Sequence, residues 1–255
     1  MWFLKEYLGI GRIKNSVIFN NQDNVSEIIE EAKNIIREKN NENEEYVENK
    51  IKNLKSIIEG NKNVISELED SNIPMYCLKD IVLKYKEELV RFDFIILTRR
   101  FFIILDTTSL NGDIAISESG DFSKYIKNKN NKNLKKNIME SPIKKLDKAS
   151  EILLSILKEE NLIKDIKIET KLVISNPKSI ISRSKAPVEV LDKIIKYDEI
   201  EDYIKKFLKE IPGNKEIMES NMVHIADFLR DNHVKMEKYL DSISNFKILN
   251  PIDLQ

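Results

Sequence analysis

Apolar residues recur at helical spacing twice in the first third of the chain. Val25, Ile28, Ile29, Ala32, Ile35 and Ile36 mark one stripe over residues 25–38. Val47, Ile51, Leu54, Ile57, Ile58, Val64, Ile65 and Leu68 mark a second, from about Glu44 to Glu69, beyond the polar run at 40–45. Two such helices suit a hairpin or short coiled coil. The period then changes. After the helix stop at 71–74, short apolar runs at 75–78, 80–85, 92–97, 101–106 and 113–117 predict strands with short connectors, the pattern of an antiparallel meander. A basic polar loop without acids follows at 124–137. Ser141-Pro142 opens a helix to about Glu160, and 166–175 reads as a strand. Short strands are expected at 188–190 and 194–197. Asp198 with Glu201 predicts a capping box for a helix to Glu210, ended by Pro212-Gly213, and a last helix runs from about Lys215 to Asp231. Helix, meander, helix, strand, helix is a mixed α/β order, and no glycine-rich phosphate loop follows any strand.

The strands at 92–97 and 101–106 each carry one acid in an apolar run. A hairpin centred between Arg99 and Arg100 places Asp93 opposite Asp106, and residues two apart share a face. Arg91, Asp93, Asp106 and Thr108 are therefore expected in one polar cluster, provided the register does not slip by one residue. Two facing carboxylates repel in a dry setting unless one keeps its proton or a cation sits between them. Mg²⁺ prefers such oxygen ligands, which makes Asp93 and Asp106 candidate metal ligands. The plainer reading is an Arg91 ion pair with one acid while the other reaches solvent. Asn61 falls on the apolar stripe of the preceding helix, with Gly60 beside it allowing close contact with the sheet.

Among 255 residues, 33% are charged and 41% hydrophobic, and the formal net charge is −1, so no global nucleic-acid signal exists. Phosphate contacts are expected, if anywhere, from Lys124, Lys127, Lys129, Lys132, Lys135 and Lys136, and from Lys178, Arg183 and Lys185, against the plain reading of a solvated loop. A single cysteine, Cys77, fits a reducing cytoplasm. No run of about 18 apolar residues predicts a membrane span. His224 and His233 lack zinc-ligand spacing.

At these same residues the chain resembles the nuclease-related domain (NERD) proteins, particularly those of clostridia and related bacteria, over roughly Leu54 to Lys206. The segments that carry the likeness are GNKNVISEL from Gly60, NIPMYCLKDIVLKY at 72–85, Arg91-Phe92-Asp93, Asp106-Thr107-Thr108, Gly112-Asp113-Ile114, Gly120-Asp121-Phe122, SPIKK from Ser141, and VISNPKSIISRSK at 173–185. The resemblance implies a PD-(D/E)xK, restriction-endonuclease-like core: a mostly antiparallel or mixed central sheet flanked by helices, here preceded by an N-terminal helical hairpin. With the apolar stripes read above, the chain is expected to divide into an N-terminal helical region at 1–53, as a coiled coil or hairpin, a NERD-like nuclease-fold domain at 54–211 and a C-terminal helical extension at 212–255.

The family's helix glutamate is here Asn61, its strand glutamate the shorter Asp106, its lysine Thr108 and its later glutamine Lys145. Asp93 alone matches unchanged. In such a core the two acids hold Mg²⁺ and the lysine serves the attacking water. Three functional readings follow. One is a degenerate nuclease site on a protein that binds DNA or RNA or acts as an interaction module. Another is a working Mg²⁺-dependent nuclease with Arg91 in place of the lysine. The third is a scaffold whose N-terminal helices pair with a protein partner.

Overall fold

A computed structural model gives the fold over residues 13–19, 30, 34, 44–108, 113–127, 134–139, 141–177, 179–182, 185–212 and 216–234. A six-stranded mixed sheet forms the centre. Its strands are β1 (Ser16–Phe19), β2 (Met75–Tyr85), β3 (Glu88–Leu97), β4 (Phe101–Thr108), β8 (Lys167–Ile174) and β10 (Ile194–Lys196), in the order β1-β2-β3-β4-β8-β10. The β2-β3-β4 meander is antiparallel, whereas β1 on β2, β8 on β4 and β10 on β8 are parallel. A second sheet, in the order β7-β6-β5-β9, is built from β5 (Asp113–Ile116), β6 (Phe122–Lys127), β7 (Leu134–Met139) and β9 (Ile180–Ser182).

Helices cover both faces of the central sheet. On one side α1 (Glu44–Asp70) and α4 (Ile200–Glu210) bury Val64, Leu68, Ile200 and Ile204 against Met75, Cys77, Phe94, Ile96, Phe101, Ile103 and Leu105. On the other, α2 (Pro142–Glu159) and α5 (Glu219–Asp231) bury Leu146, Leu153, Leu157, Met222, Ile225 and Leu229 against Leu78, Ile81, Phe92, Ile95, Phe102 and Ile104. Coverage on both faces explains why Phe101–Leu105 is an unbroken apolar run rather than an alternating one. Among the described residues no helix is long and apolar enough to cross a membrane.

Several expectations change here. β2 is continuous through Lys79, where two strands were expected. At the two ends of the basic stretch expected as a loop, residues 124–127 and 134–137 are strand: β6 and β7 pair antiparallel from Phe122↔Met139 to Lys127↔Leu134, because a backbone ladder forms whatever charge the side chains carry. The lysines at 124, 127, 135 and 136 thus lie on strands, and Lys129 and Lys132 lie outside the described residues. Residues 188–190 begin a short helix, α3 (Val188–Leu191), not a strand. Pro187 presets its first turn, and the Pro187 carbonyl accepts the N–H groups of Val190 (3.1 Å) and Leu191 (3.0 Å). The capping contact before α4 is made not by Glu201 but by Glu199, whose Oε2 accepts the Lys196 N–H at 2.7 Å. The last helix starts at Glu219. β1 is a strand within the region expected to be helical, joined to β2 from Ser16↔Met75 to Phe19↔Leu78. The helix expected at 25–38 lies outside the described residues except for Glu30 and Asn34.

The β3–β4 turn is tied down far from the two acids. Thr98 Oγ1 donates to the Phe101 carbonyl at 2.6 Å, and Arg100 donates to the Leu208 carbonyl (2.7 Å) at the end of α4 and to Glu216 (2.8 Å). A cation there suits the exposed carbonyls of a helix C-terminus. In the β5–β6 turn, Gly120 has φ +79°, and a Cβ on it would meet Val190 Cγ2 at 3.2 Å. Gly120→Ala is expected to cost about 1 kcal/mol in urea unfolding, from the left-handed backbone alone. A variant as stable as the parent would show that the turn relaxes freely.

Candidate functional site

The polar cluster lies where the central strands lose their regularity. The β2–β3 ladder runs Lys79↔Phe94 and Ile81↔Phe92, and between them stand Asp80 and Asp93. Asp80 has φ +56°, rare for a non-glycine residue inside a strand. The facing pattern changes at this step in both strands. Leu78 and Ile81 pack on the α2 side, and so do Phe92 and Ile95, so strict alternation is broken between them. Phe94 and Ile96 pack on the α1 side. Local backbone strain of this kind costs about 1–3 kcal/mol and concentrates at functional sites.

The β3–β4 ladder ends at Phe94↔Leu105, leaving Asp93 and Asp106 as the first opposed pair beyond it. The hairpin register is thus the one expected from a turn between Arg99 and Arg100. The two carboxyls hydrogen-bond to each other. Burial and then the neighbouring charge of Asp93 push the Asp106 carboxyl well above the usual carboxylate range, while Arg91 and Lys145 pull it down. Asp93 Oδ2 accepts the Thr107 backbone N–H (2.9 Å) and the Thr107 hydroxyl (2.8 Å). Thr107 Oγ1 also lies 2.8 Å from the side-chain amide of buried Asn61 on α1. One hydroxyl carries one hydrogen, so both contacts are satisfied together when Asn61 turns its NH₂ group toward Thr107. Arg91 Nε donates to Asp80 Oδ1 at 2.8 Å and stands 3.8 Å from Asp93 Oδ1.

Asn61, Arg91, Asp93 and Asp106 thus come together, and the Lys145 charge, from the first turn of α2, reaches Asp106. Thr108 does not join through its hydroxyl as expected; its carbonyl accepts the N–H (3.0 Å) and the hydroxyl (3.2 Å) of Ser175 at the end of β8. The face change at Asp80–Asp93 is the reason: it turns Asp93 toward Thr107 instead. Asp80 and Thr107 were missed. The doublet Lys79-Asp80 inside an apolar strand is the one sequence signal for the irregular step. His224 lies in α5, and His233 Nδ1 accepts the Val82 N–H at 3.0 Å, a structural contact at the sheet edge.

The donor set is two adjacent carboxylates with an amide nearby. Mg²⁺ is commonly held by one or two carboxylates, with waters and substrate phosphate completing its shell, so these residues fit such an ion. Among the described residues no group of three or more His, Cys, Asp or Glu is arranged to hold a metal. A family model described as nuclease-related domain (NERD) matches residues 39–175, a span that includes every residue of this cluster from Asn61 to Lys145. No curated protein and no solved structure matches the chain.

Proposed function

Because the chain belongs to the nuclease-related domain family, we propose that it binds nucleic acid on a nuclease-type core whose phosphodiester-cleaving site is impaired. The observation that carries this reading is the company Asp93 keeps. At the two strand positions after Asp106 stand threonines, and the group that reaches Asp93 is the Thr107 hydroxyl, not an ammonium. A hydroxyl neither stabilises developing negative charge as a cation does nor takes a proton from water near neutral pH. Arg91 supplies positive charge, but its Nε is engaged by Asp80, and a guanidinium with pKa above about 12 is a poor general base. Asp93 and Asp106 would hold a divalent cation, which when bound would acidify water and offset phosphoryl charge. Thr107 and Asn61 fix the Asp93 carboxylate, and Asp80 fixes Arg91 beside it.

The approach of Arg91 to Asp93, at 3.8 Å, with the Lys145 charge felt at Asp106, favours one alternative: a working Mg²⁺-dependent nuclease using those cations. Incubating plasmid and single-stranded DNA with the protein and Mg²⁺ or Mn²⁺, beside Asp93→Asn, separates the two. The expected result is DNA retention with cleavage no faster than that variant's. Cleavage above it establishes the alternative, and neither cleavage nor retention overturns both and leaves a scaffold.

A further inference from the structure

Next to Asn61 in the chain, α1 and the segment after β8 border an open cleft of about 270 Å³. Its helical wall is a polar stripe: Lys52, Lys55, Ser56, Glu59 and Asn63 are linked by three- and four-residue steps, so they share one face of α1 beside the apolar stripe that packs on the sheet, with Gly60 at its margin. Its other wall is Ser175, Asn176 and Pro177. The walls are joined at the floor, where Asn63 Nδ2 donates to the Ser175 carbonyl at 3.1 Å. Both walls adjoin neighbours of the carboxylates. Gly60 adjoins Asn61, which contacts Thr107, and Ser175 donates to the Thr108 carbonyl. We infer that this cleft is a second binding site, one that seats the sugar–phosphate backbone of a nucleic-acid strand on Lys52 and Lys55 and leads it toward Asp93 and Asp106.

The chemistry of the lining selects that ligand class. Its two ammonium groups outnumber its single carboxylate, so the lining carries net positive charge and suits an anion. None of its lining residues is aromatic, so it offers no platform for stacking bases. Its volume falls just below the ~300–1,000 Å³ of ordinary small-molecule pockets. Contacts of this type position a strand without reading its sequence. Lys124, Lys127, Lys135 and Lys136, expected among the phosphate contacts, belong to the second sheet, whereas Lys52 and Lys55 stand on the helix that also carries Asn61. Glu59 is the one carboxylate in the lining and sets the limit on affinity.

The inference rests on the proposed nucleic-acid binding and is tested separately from it. The full-length protein is titrated with a fluorescent single-stranded oligonucleotide and its duplex across a salt series. Each lysine–phosphate contact contributes about 0.7 to the log–log salt slope for a single strand and about 0.9 for a duplex. Lys52→Gln/Lys55→Gln is expected to reduce the slope by about 1.4–1.8 and affinity at 0.1 M salt by about tenfold or more. Glu59→Gln is expected to act in the opposite direction and tighten binding, a gain that misfolding cannot mimic. Binding by the parent with an unchanged slope in the double variant overturns the cleft while leaving nucleic-acid binding intact. No binding by the parent overturns both.

Discussion

Asp93→Ala is expected to destabilise the protein by about 2–3 kcal/mol. Its Oδ2 is the acceptor for both the backbone N–H and the hydroxyl of Thr107, at 2.9 and 2.8 Å. Alanine removes both. An orphaned, partly buried donor costs about 1–3 kcal/mol. The Asp106 carboxyl also loses its hydrogen-bonding partner. One gain opposes these losses, because the charge that raises Asp106 disappears with Asp93, and it keeps the net effect below the sum of the individual costs. Arg91 keeps its 2.8 Å bond to Asp80, so the strand step itself should survive. For a domain of this size about 2–4 °C of melting temperature accompanies each kcal/mol, so a fall of about 4–12 °C is expected. Asp93→Asn retains an oxygen for Thr107 and is expected to lose less than half as much. The comparison is made by thermal unfolding of both variants. An alanine variant melting within about 1 °C of the parent would show that Thr107 finds another acceptor and that Asp93 does not organise the site.

The contrast between what the residues announced and what only the fold reveals centres on this pair. Asp93 opposite Asp106 was legible because a tight turn between two arginines leaves one natural register, and apolar runs on either side hold it there. Long helical stripes were equally legible: α1 ends one residue beyond the expected Glu69. Facing was not legible. Alternation places Thr108 with the acids, yet the left-handed Asp80 shifts the step so that Thr107 is the residue that binds. No hydrophobic pattern encodes a single positive φ. The Lys145 influence on Asp106 depends on how α2 docks, a tertiary fact. β1 and β6–β7 went unread for a related reason: short or lysine-rich segments become strands when a neighbouring ladder offers partners, and the partners lie far away in sequence or bear no apolar signature.

Asp106→Asn is expected to change how stability depends on pH and on Mg²⁺. In the folded protein burial and Asp93 raise the Asp106 carboxyl above its unfolded value, near about 3.9. Between the two values the folded state binds more protons than the unfolded one, so stability falls as pH rises from about 4 through the raised folded value and levels off beyond it. Asparagine offers the same hydrogen-bond donor toward Asp93 but cannot ionise. The variant should therefore lose this descending segment. It should match the parent below about pH 4 and be more stable at neutral pH, by an amount on the order of 1 kcal/mol. Mg²⁺ should act in the reverse sense. A cation between two carboxylates removes the repulsion, so it stabilises the parent, by about 1.4 kcal/mol at ten times its dissociation constant. The variant, with one carboxylate left, should respond far less. Melting curves for both proteins across pH 4–8, with and without Mg²⁺, read the two effects independently. Parallel pH profiles would show that no proton is held between Asp93 and Asp106. Equal Mg²⁺ shifts would place any bound cation elsewhere on the protein.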